Sequence, residues 1–547
     1  MLRLRMTALI LLIGALTACQ ISQPSENDPS SLLSDRPNIL WLVAEDMGPY
    51  LASFGDSTIS TPNLSRLAAE GVRYTHVYSP SGVCAPSRAA IATGMYPSSI
   101  GANYMRTTSY TEVTGLPKYE AVPPPPVRMF SQLLRQAGYY CSNRAKKDYQ
   151  FRPPVTAWDE SGDEAHWRNR ATGQPFFSIF NFGVTHESGL FEPYERKTVI
   201  PEDLELPIPP YLPDNEIGKR DVWKMYNNIA LLDEQVGKVL DQLEEDGLLE
   251  ETIVMFYADH GGPLPRQKRL IYDAGLRVPM IIRFPDKWRA GSVEDQLISF
   301  IDFAPTMLGL AGQNPPTYLQ GQSFLGTADH QRAYIHAAAD RFDGFTDHIR
   351  AVRDGRFKYI RNYLPGQGYY LPVVYRERIP VMQELLRMRD AGELNEIQAQ
   401  WFRSSKPREE LFDCENDPHE LVNLAEDPQY AEKLKELRVE MDRWLAYIGD
   451  QPDMEERALI QHLWNGEAEK PQTEEPILTE SAGKLSIECN TSGASIGYRK
   501  VSSAETAGTP WEIYSEPIQL EEGVQWEIQA HRIGYRPSRT VIHPAIR

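Results

Sequence analysis

Cys84-Ala85-Pro86-Ser87-Arg88, with Thr93-Gly94 further on, is the part of the sequence best equipped for chemistry. A loop of small residues, Ser79-Pro80-Ser81-Gly82-Val83, leads into it. Pro86 suits the first turn of a helix, and Ala89, Ala90 and Ile91 suit a buried face. That layout predicts Cys84 at a helix N-terminus, where free backbone N–H groups favour an anion. Arg88, one turn on, would aim a positive fork at the same place. Acid–base groups stand at the ends of three mainly apolar runs, Asn38–Ala44, Pro175–Phe182 and Thr252–Ala258, which predict buried parallel strands. They lead into Glu45-Asp46, Thr185-His186-Glu187 and Asp259-His260-Gly261-Gly262. Adjacent carboxylates at a strand end are costly unless they hold a cation or face water, and ligands of an open parallel sheet gather at the strands' C-terminal ends. A histidine beside an acid can donate a proton to a leaving group.

Taken singly, each group has a plainer reading: a buried structural thiol, an exposed acidic loop, a histidine satisfied by a loop carbonyl, a solvated lysine. Together they resemble the type I, formylglycine-dependent sulfatases of the alkaline phosphatase superfamily, closest to the heparan N-sulfatase (sulfamidase)-like subgroup. The resemblance runs through Cys84-x-Pro86-Ser87-Arg88, the Thr61–Gly71 helix, the Gly101–Arg106 run and Lys146-x-Asp148-Tyr149. It continues through Asp259-His260-Gly261, Tyr272–Pro279, Asp302-x-x-Pro305-Thr306 and Glu410–Leu424.

The resemblance implies that Cys84 is oxidised to formylglycine by a formylglycine-generating or sulfatase-maturating enzyme. It implies a calcium site formed by Glu45, Asp46, Asp259, His260 and the modified Cys84. Glu45 departs from the usual Asp-Asp pair, and histidine is an unusual calcium ligand on hardness grounds. Arg88, Lys146 and Lys268 would concentrate positive charge on the sulfate; Arg266 or Arg269 would take the place of Lys268 in a shifted register. Asp148 stands where the family often has histidine. In the implied mechanism one hydroxyl of the hydrated formylglycine attacks sulfur and His186 protonates the departing atom. The second hydroxyl then loses its proton and expels sulfate. Arg106, Asp340, Arg341 and His348 are the expected substrate contacts, with Asp343 near them, and Glu187 is an outer partner of the site. The implied substrate is a sulfated saccharide, O-sulfated or N-sulfated on glucosamine. Two alternatives stay open: a phosphonate monoester or phosphodiester hydrolase of the same superfamily, and a catalytically silent glycan-binding lipoprotein.

The chain must be large enough to position these groups. Its 547 residues exceed one compact core. The expected fold is α/β: a large, mostly parallel sheet flanked by helices, alkaline-phosphatase-like, over 36–330. A smaller α+β subdomain with an antiparallel sheet covers 331–465. A polar linker, 466–482, then leads to a small β-sandwich over 483–547, which resembles the Ig-like C-terminal module of hexosaminidases. The net charge of −19 excludes nucleic acid as a partner; a polyanionic substrate needs a local basic pocket. Arg3 and Arg5 precede an apolar run from Met6 to Ala18 that is too short to span a membrane. It ends in Leu16-Thr17-Ala18-Cys19, which resembles a lipobox. Residues 1–19 therefore read as a lipoprotein signal with Cys19 lipidated, and 20–35 as a tether. The expected address is the outer membrane, periplasmic or surface-facing, with membrane attachment by lipid alone. The other cysteines, Cys84, Cys141, Cys414 and Cys489, have no zinc-type spacing.

Overall fold

The computed structural model describes residues 36–325, 331–501 and 509–546. The expected signal segment, Cys19 and the tether lie outside the described residues. Nine strands form the main sheet: β1 (Asn38–Ala44), β2 (Val72–Tyr78), β3 (Tyr140–Arg144), β4 (Glu160–Ser161), β5 (Phe176–Phe182), β6 (Thr252–Ala258), β7 (Arg277–Arg283), β8 (Val293–Glu294) and β9 (Ile298–Ser299). Their order is β4-β3-β5-β1-β6-β7-β2-β8, with β9 also on β2. Only β7 runs against its neighbours. Crossing β7 reverses direction twice, so β2 points the same way as β3, β5, β1 and β6. Five strands therefore release their following loops at one edge.

β1 lies at the centre and every residue of it is buried. That explains its unbroken apolar run, since a strand covered on both faces has no polar side to alternate. Trp41 sits among Phe130, Phe177, Tyr257 and Phe303, with ring centroids 5.0–6.0 Å away. These are the tilted and edge-on arrangements that the ring quadrupole favours.

The helices that bear on the site are α1 (Pro62–Glu70), α2 (Cys84–Thr93), α3 (Phe130–Gln136), α4 (Glu216–Glu245), α5 (Ala431–Ile448) and α6 (Glu456–Leu463). The sequence predicts α1 as a cap-and-proline start at Thr61-Pro62. The proline is at the first helical position, but Thr61 makes no side-chain cap. Asp233, from the middle of α4, accepts from the Asn63 and Leu64 N–H groups at 3.2 and 2.8 Å. A tertiary contact thus supplies a cap that local sequence reading assigns to the preceding residue.

Strands β10 (Ile335–Ala339), β11 (Ile349–Arg353), β12 (Phe357–Asn362) and β13 (Glu409–Asp413) make an antiparallel sheet. One side carries α5 through Leu437, Met441 and Trp444. The other packs Ile335, Ala337, Ala351 and Phe412 into a cluster with Tyr78, Val83 and Ala85. The second sheet therefore braces the residues on either side of Cys84. The stretch expected as linker is partly built into the fold. Thr473 is buried, and Ile477–Ser481 pairs along its length with Lys484–Glu488. That strand is mostly exposed and only Ile477 and Leu478, side by side at its start, are apolar, so its sequence gives no apolar alternation. Two small sheets of three and four strands close the chain around Leu485, Ile487, Trp526 and Ile528. No helix among the described residues is long and apolar enough to cross a membrane.

The capping arrangement gives a test. Asp233→Ala should cost about 1–2 kcal/mol in urea unfolding, whereas Thr61→Ala should change little. Equal effects would contradict the cap assignment.

Candidate active site

Neighbouring parallel strands bring the charged groups together. Ala44 at the end of β1 pairs with Phe182 of β5 and Ala258 of β6. The ladder goes one step further: the Glu45 N–H donates to the Phe182 carbonyl at 3.1 Å and the Asp259 N–H to the Ala44 carbonyl at 3.0 Å. Glu45-Asp46 and Asp259-His260 are side by side for that reason. His186 and Glu187 follow β5, Lys146 follows β3, and Lys268 lies in the loop between β6 and β7. Asp46 has a left-handed φ of 49°, a conformation tolerated best by Asp and Asn among residues with a side chain. Its N–H donates to Asp259 Oδ1 at 3.1 Å.

Cys84 opens α2, whose preceding residue, Val83, gives no side-chain cap. The helix ends at Gly94, left-handed at φ 65°, a conformation glycine adopts without steric cost. Gly82 is required by space: a Cβ there would lie 2.4 Å from the Leu270 carbonyl oxygen. The fully buried Cys84 Sγ is 3.5 Å from His260 Nε2 and 3.8 Å from Asp46 Oδ1.

Cations surround this point. Arg88 Nε donates to Asp259 Oδ2 at 3.0 Å and Nη1 to Asn181 Oδ1 at 2.6 Å. Its buried Nη2 has no partner among the described residues. Lys146 Nζ is 3.1 Å from Glu45 Oε2. Lys268 Nζ is 2.6 Å from Asp46 Oδ2 and 3.2 Å from Glu187 Oε1. Burial pushes the Asp46 carboxyl up, but Lys268, His186 and His260 overcome it and hold it well below the carboxylate range. Burial also raises the Cys84 thiol, and Lys268 and His260 more than reverse that, so the thiol is acidified. His260 is pushed down by burial yet lifted to about 10 by Asp259 and Asp46. His186 is pushed down by burial and Lys268, then raised above its ordinary value by Asp46 and Cys84. Its Nδ1 lies 3.2 Å from the Ser188 nitrogen and 2.9 Å from the Ser188 hydroxyl oxygen, which holds the ring in place.

The donor set fits a hard divalent cation. Glu45, Asp46 and Asp259 are at most 6% exposed. Ligand atoms of Asp46, Cys84, Asp259 and His260 lie within 4.8 Å of one another, and so do those of Glu45, Asp46, Cys84 and His186. Buried carboxylate oxygens of this kind suit calcium or magnesium better than a soft metal.

Residues 37–161 and 159–313 match the family model described as Sulfatase, and residues 266–378 the one described as N-sulphoglucosamine sulphohydrolase, C-terminal. The chain is 58% identical over 544 residues to an ulvan-active sulfatase of Formosa agariphila, covering 93% of this chain and 91% of that one. It belongs to the sulfatase family. The sulfatase is therefore a sulfuric ester hydrolase, and members of its family generally use a formylglycine and a divalent metal. It is also 25% identical to human N-sulphoglucosamine sulphohydrolase, over 74% of this chain and 89% of that one. A solved structure in complex with its substrate, D-glucosamine-2-N,6-O-disulfate, shares the fold at a TM-score of 0.55 and 19% identity. That likeness covers 77% of the sulfatase and all of the other chain.

Arg266, Lys268 and Arg269 have different partners. Arg266 stacks on Tyr272 at 4.3 Å and donates to the His419 and Glu420 carbonyls at 2.8 Å. Arg269 makes a bidentate pair with Glu187 at 2.8 and 2.9 Å and reaches Asp343 at 2.9 Å. Lys268 alone of the three meets Asp46. Glu187 is more central than its sequence suggests: its N–H donates to Asp46 Oδ2 at 2.8 Å while its carboxylate holds Lys268 and Arg269. Asn181, which orients Arg88 from inside β5, has no sequence signal beyond a polar residue in an apolar run. Arg106 is at the rim, with Nη1 on both Asp148 oxygens at 3.2 and 3.3 Å. Asp148 is also 3.9 Å from Lys146.

Three expected substrate contacts have other partners. Arg341 is buried and spends its guanidinium on Glu456, at 2.7 Å through both Nε and Nη2, and on the Met105 and Asp343 carbonyls. Asp340 is buried between His348 Nδ1 at 2.6 Å, Arg350 at 3.0 Å and Asn103. Charged residues in a turn-rich segment read as exposed; here they bond one another.

Glu187→Gln would leave Lys268 and Arg269 buried without their shared counter-charge. The variant should lose about 3–5 kcal/mol in denaturant unfolding together with its turnover. A loss of turnover at unchanged stability would show that Glu187 acts on the reaction rather than on the ion-pair framework.

Proposed function

We propose that the protein removes O-linked sulfate from a sulfated polysaccharide, with a formylglycine made from Cys84 as nucleophile and a calcium ion held by Glu45, Asp46, Asp259 and His260. The observation that carries this reading is the convergence of Arg88, Lys146, Lys268 and His186 on a residue at an uncapped helix N-terminus. A sulfate ester brings a ring of anionic oxygens and develops more charge as its bond breaks, so a site that concentrates positive charge favours the transition state. Bound calcium would supply Lewis acidity and neutralise charge on the sulfate oxygens. Arg88 has a guanidinium nitrogen to spare for a sulfate oxygen, and Lys146 and Lys268 flank it. His186 gives its proton to the departing sugar oxygen. Arg106, tied to Asp148, presents its remaining N–H groups to the sugar at the rim. The polysaccharide class rests on the ulvan-active relative. Maturation of Cys84 by a formylglycine-generating enzyme, and export as an outer-membrane lipoprotein anchored through Cys19, belong to the same proposal and rest on the sequence.

Intact-mass measurement of protein from a maturation-competent host should show the thiol of Cys84 replaced by an aldehyde. That protein should release sulfate from ulvan, lose turnover on chelation and regain it with calcium. An unmodified thiol, or faster turnover of bis(4-nitrophenyl) phosphate than of 4-nitrophenyl sulfate, would overturn the assignment.

The raised pKa of His186 fixes the sign of the pH response. The acid form is the proton donor, so turnover of sugar sulfates should fall as pH rises through a value above about 6.5. His186→Ala should abolish that limb and lower kcat roughly 100-fold or more. It should slow 4-nitrophenyl sulfate far less, because that leaving group needs no proton. An unchanged alkaline limb in the variant would remove His186 from the acid role.

A further inference from the structure

Strands β12 and β13 are antiparallel neighbours, yet residues 363–408 run between them. Such neighbours need only a short turn. The excursion crosses to the catalytic part. Its Ile379, Val381, Met382 and Leu385 are buried in the main core, and the Val381 N–H donates to Asp221 of α4 at 2.6 Å. Just before this anchor the half-buried Tyr375 brings its ring centroid to 6.3 Å from that of His186. A single helical turn, Arg376–Arg378, follows. Its two arginines differ. Arg376 is buried over Trp401 and Tyr370, at 4.9 and 5.4 Å, and donates to the Leu371 carbonyl. Arg378 is exposed. Its Cζ lies over the Phe191 ring, 4.3 Å from the centroid, and 5.9 Å from the centroid of Tyr375. Acidic residues outnumber basic ones 75 to 56, but among the described residues no carboxylate and no hydrogen-bond acceptor engages this guanidinium. Contact with the rings uses its face and leaves its N–H edge for an oxyanion.

We infer that Arg378 is a specificity residue: it binds an anionic group, carboxylate or sulfate, on the polysaccharide beyond the bond that His186 helps to break. The inference deepens the proposed function and rests on it for the role of His186. Tyr375 stands between the two, so the residue that protonates the leaving sugar and the residue that reads its charge are one aromatic ring apart. In a chain with a net charge of −19, a polyanion needs fixed local cations. Arg378 is held by aromatic faces rather than by carboxylates, which would compete with the ligand for its N–H groups.

The test compares the matured full chain with its Arg378→Gln and Arg378→Lys variants. On ulvan, Arg378→Gln should lose about tenfold or more in kcat/KM, through KM, and Arg378→Lys should regain part of it. On 4-nitrophenyl sulfate, which carries no second anion, all three should turn over alike. Their thermal unfolding midpoints should agree, because the side chain is exposed. Carbodiimide–borohydride reduction of ulvan turns any carboxylate into an alcohol and leaves sulfate in place. If the parent loses the same factor on the reduced polymer and Arg378→Gln loses nothing more, the partner is a carboxylate; if the gap between them persists, it is a sulfate. Equal kcat/KM of parent and Arg378→Gln on ulvan, or an equal loss on 4-nitrophenyl sulfate, would overturn the inference. Native gels containing ulvan read binding without turnover. Arg378→Gln should be retarded less than the parent, and equal or absent retardation would also overturn the inference. Failure of the parent to release sulfate would instead strike at the proposed function and leave the gels to decide Arg378.

Discussion

The constraint on which the rest depends is the burial of Glu45, Asp46, Asp259 and Glu187 in one small volume. Isolated buried carboxylates would take up protons rather than stay charged. Here Lys268 stands against Asp46 and Glu187, Arg88 against Asp259, Lys146 against Glu45 and Arg269 against Glu187. The network stabilises the ionised state, and an anionic substrate with a divalent cation can enter it without forcing any carboxylate to become neutral. The same pairs that hold the fold together at this edge also set the field in which the reaction takes place.

That arrangement needs a rigid frame. The parallel ladder of β5, β1 and β6 fixes the spacing between Glu45-Asp46, His186-Glu187 and Asp259-His260 to that of adjacent strands. The antiparallel C-terminal sheet packs on Val83 and Ala85 and so fixes the start of α2. The smaller sheet is part of the catalytic apparatus in this sense, although none of its strands places a side chain on Cys84. Arg269–Asp343 ties the same two parts together at the mouth of the site.

The terminal β sheets are joined to the catalytic part by polar contacts. Gln132 of α3 donates to Ser495 at 2.9 Å, and Arg135 to the Trp511 carbonyl at 2.6 Å. Ile533 of the terminal part is also buried in the main core. The polar contacts leave room between the parts, and a cavity lined by Arg532 and Tyr535 occupies it.

What the sequence determined by itself is the set of strand ends and the helix that carry chemistry. β1 and β6 match their predicted limits residue for residue, because a strand buried on both faces leaves an unbroken apolar run and ends at its first charge. The start of the Cys84 helix, with proline in its first turn, was equally legible. Tertiary structure alone decided the partners. Asp233 caps a helix 169 residues before it in the chain, Glu187 rather than a surface residue neutralises Arg269, and Ile477–Ser481 is a strand without apolar alternation. Arg341 and His348 show the physical reason most plainly. A charged side chain carries no mark of whether its counter-charge will be water, substrate or a residue far along the chain, and only the folded chain brings Glu456 and Asp340 to them.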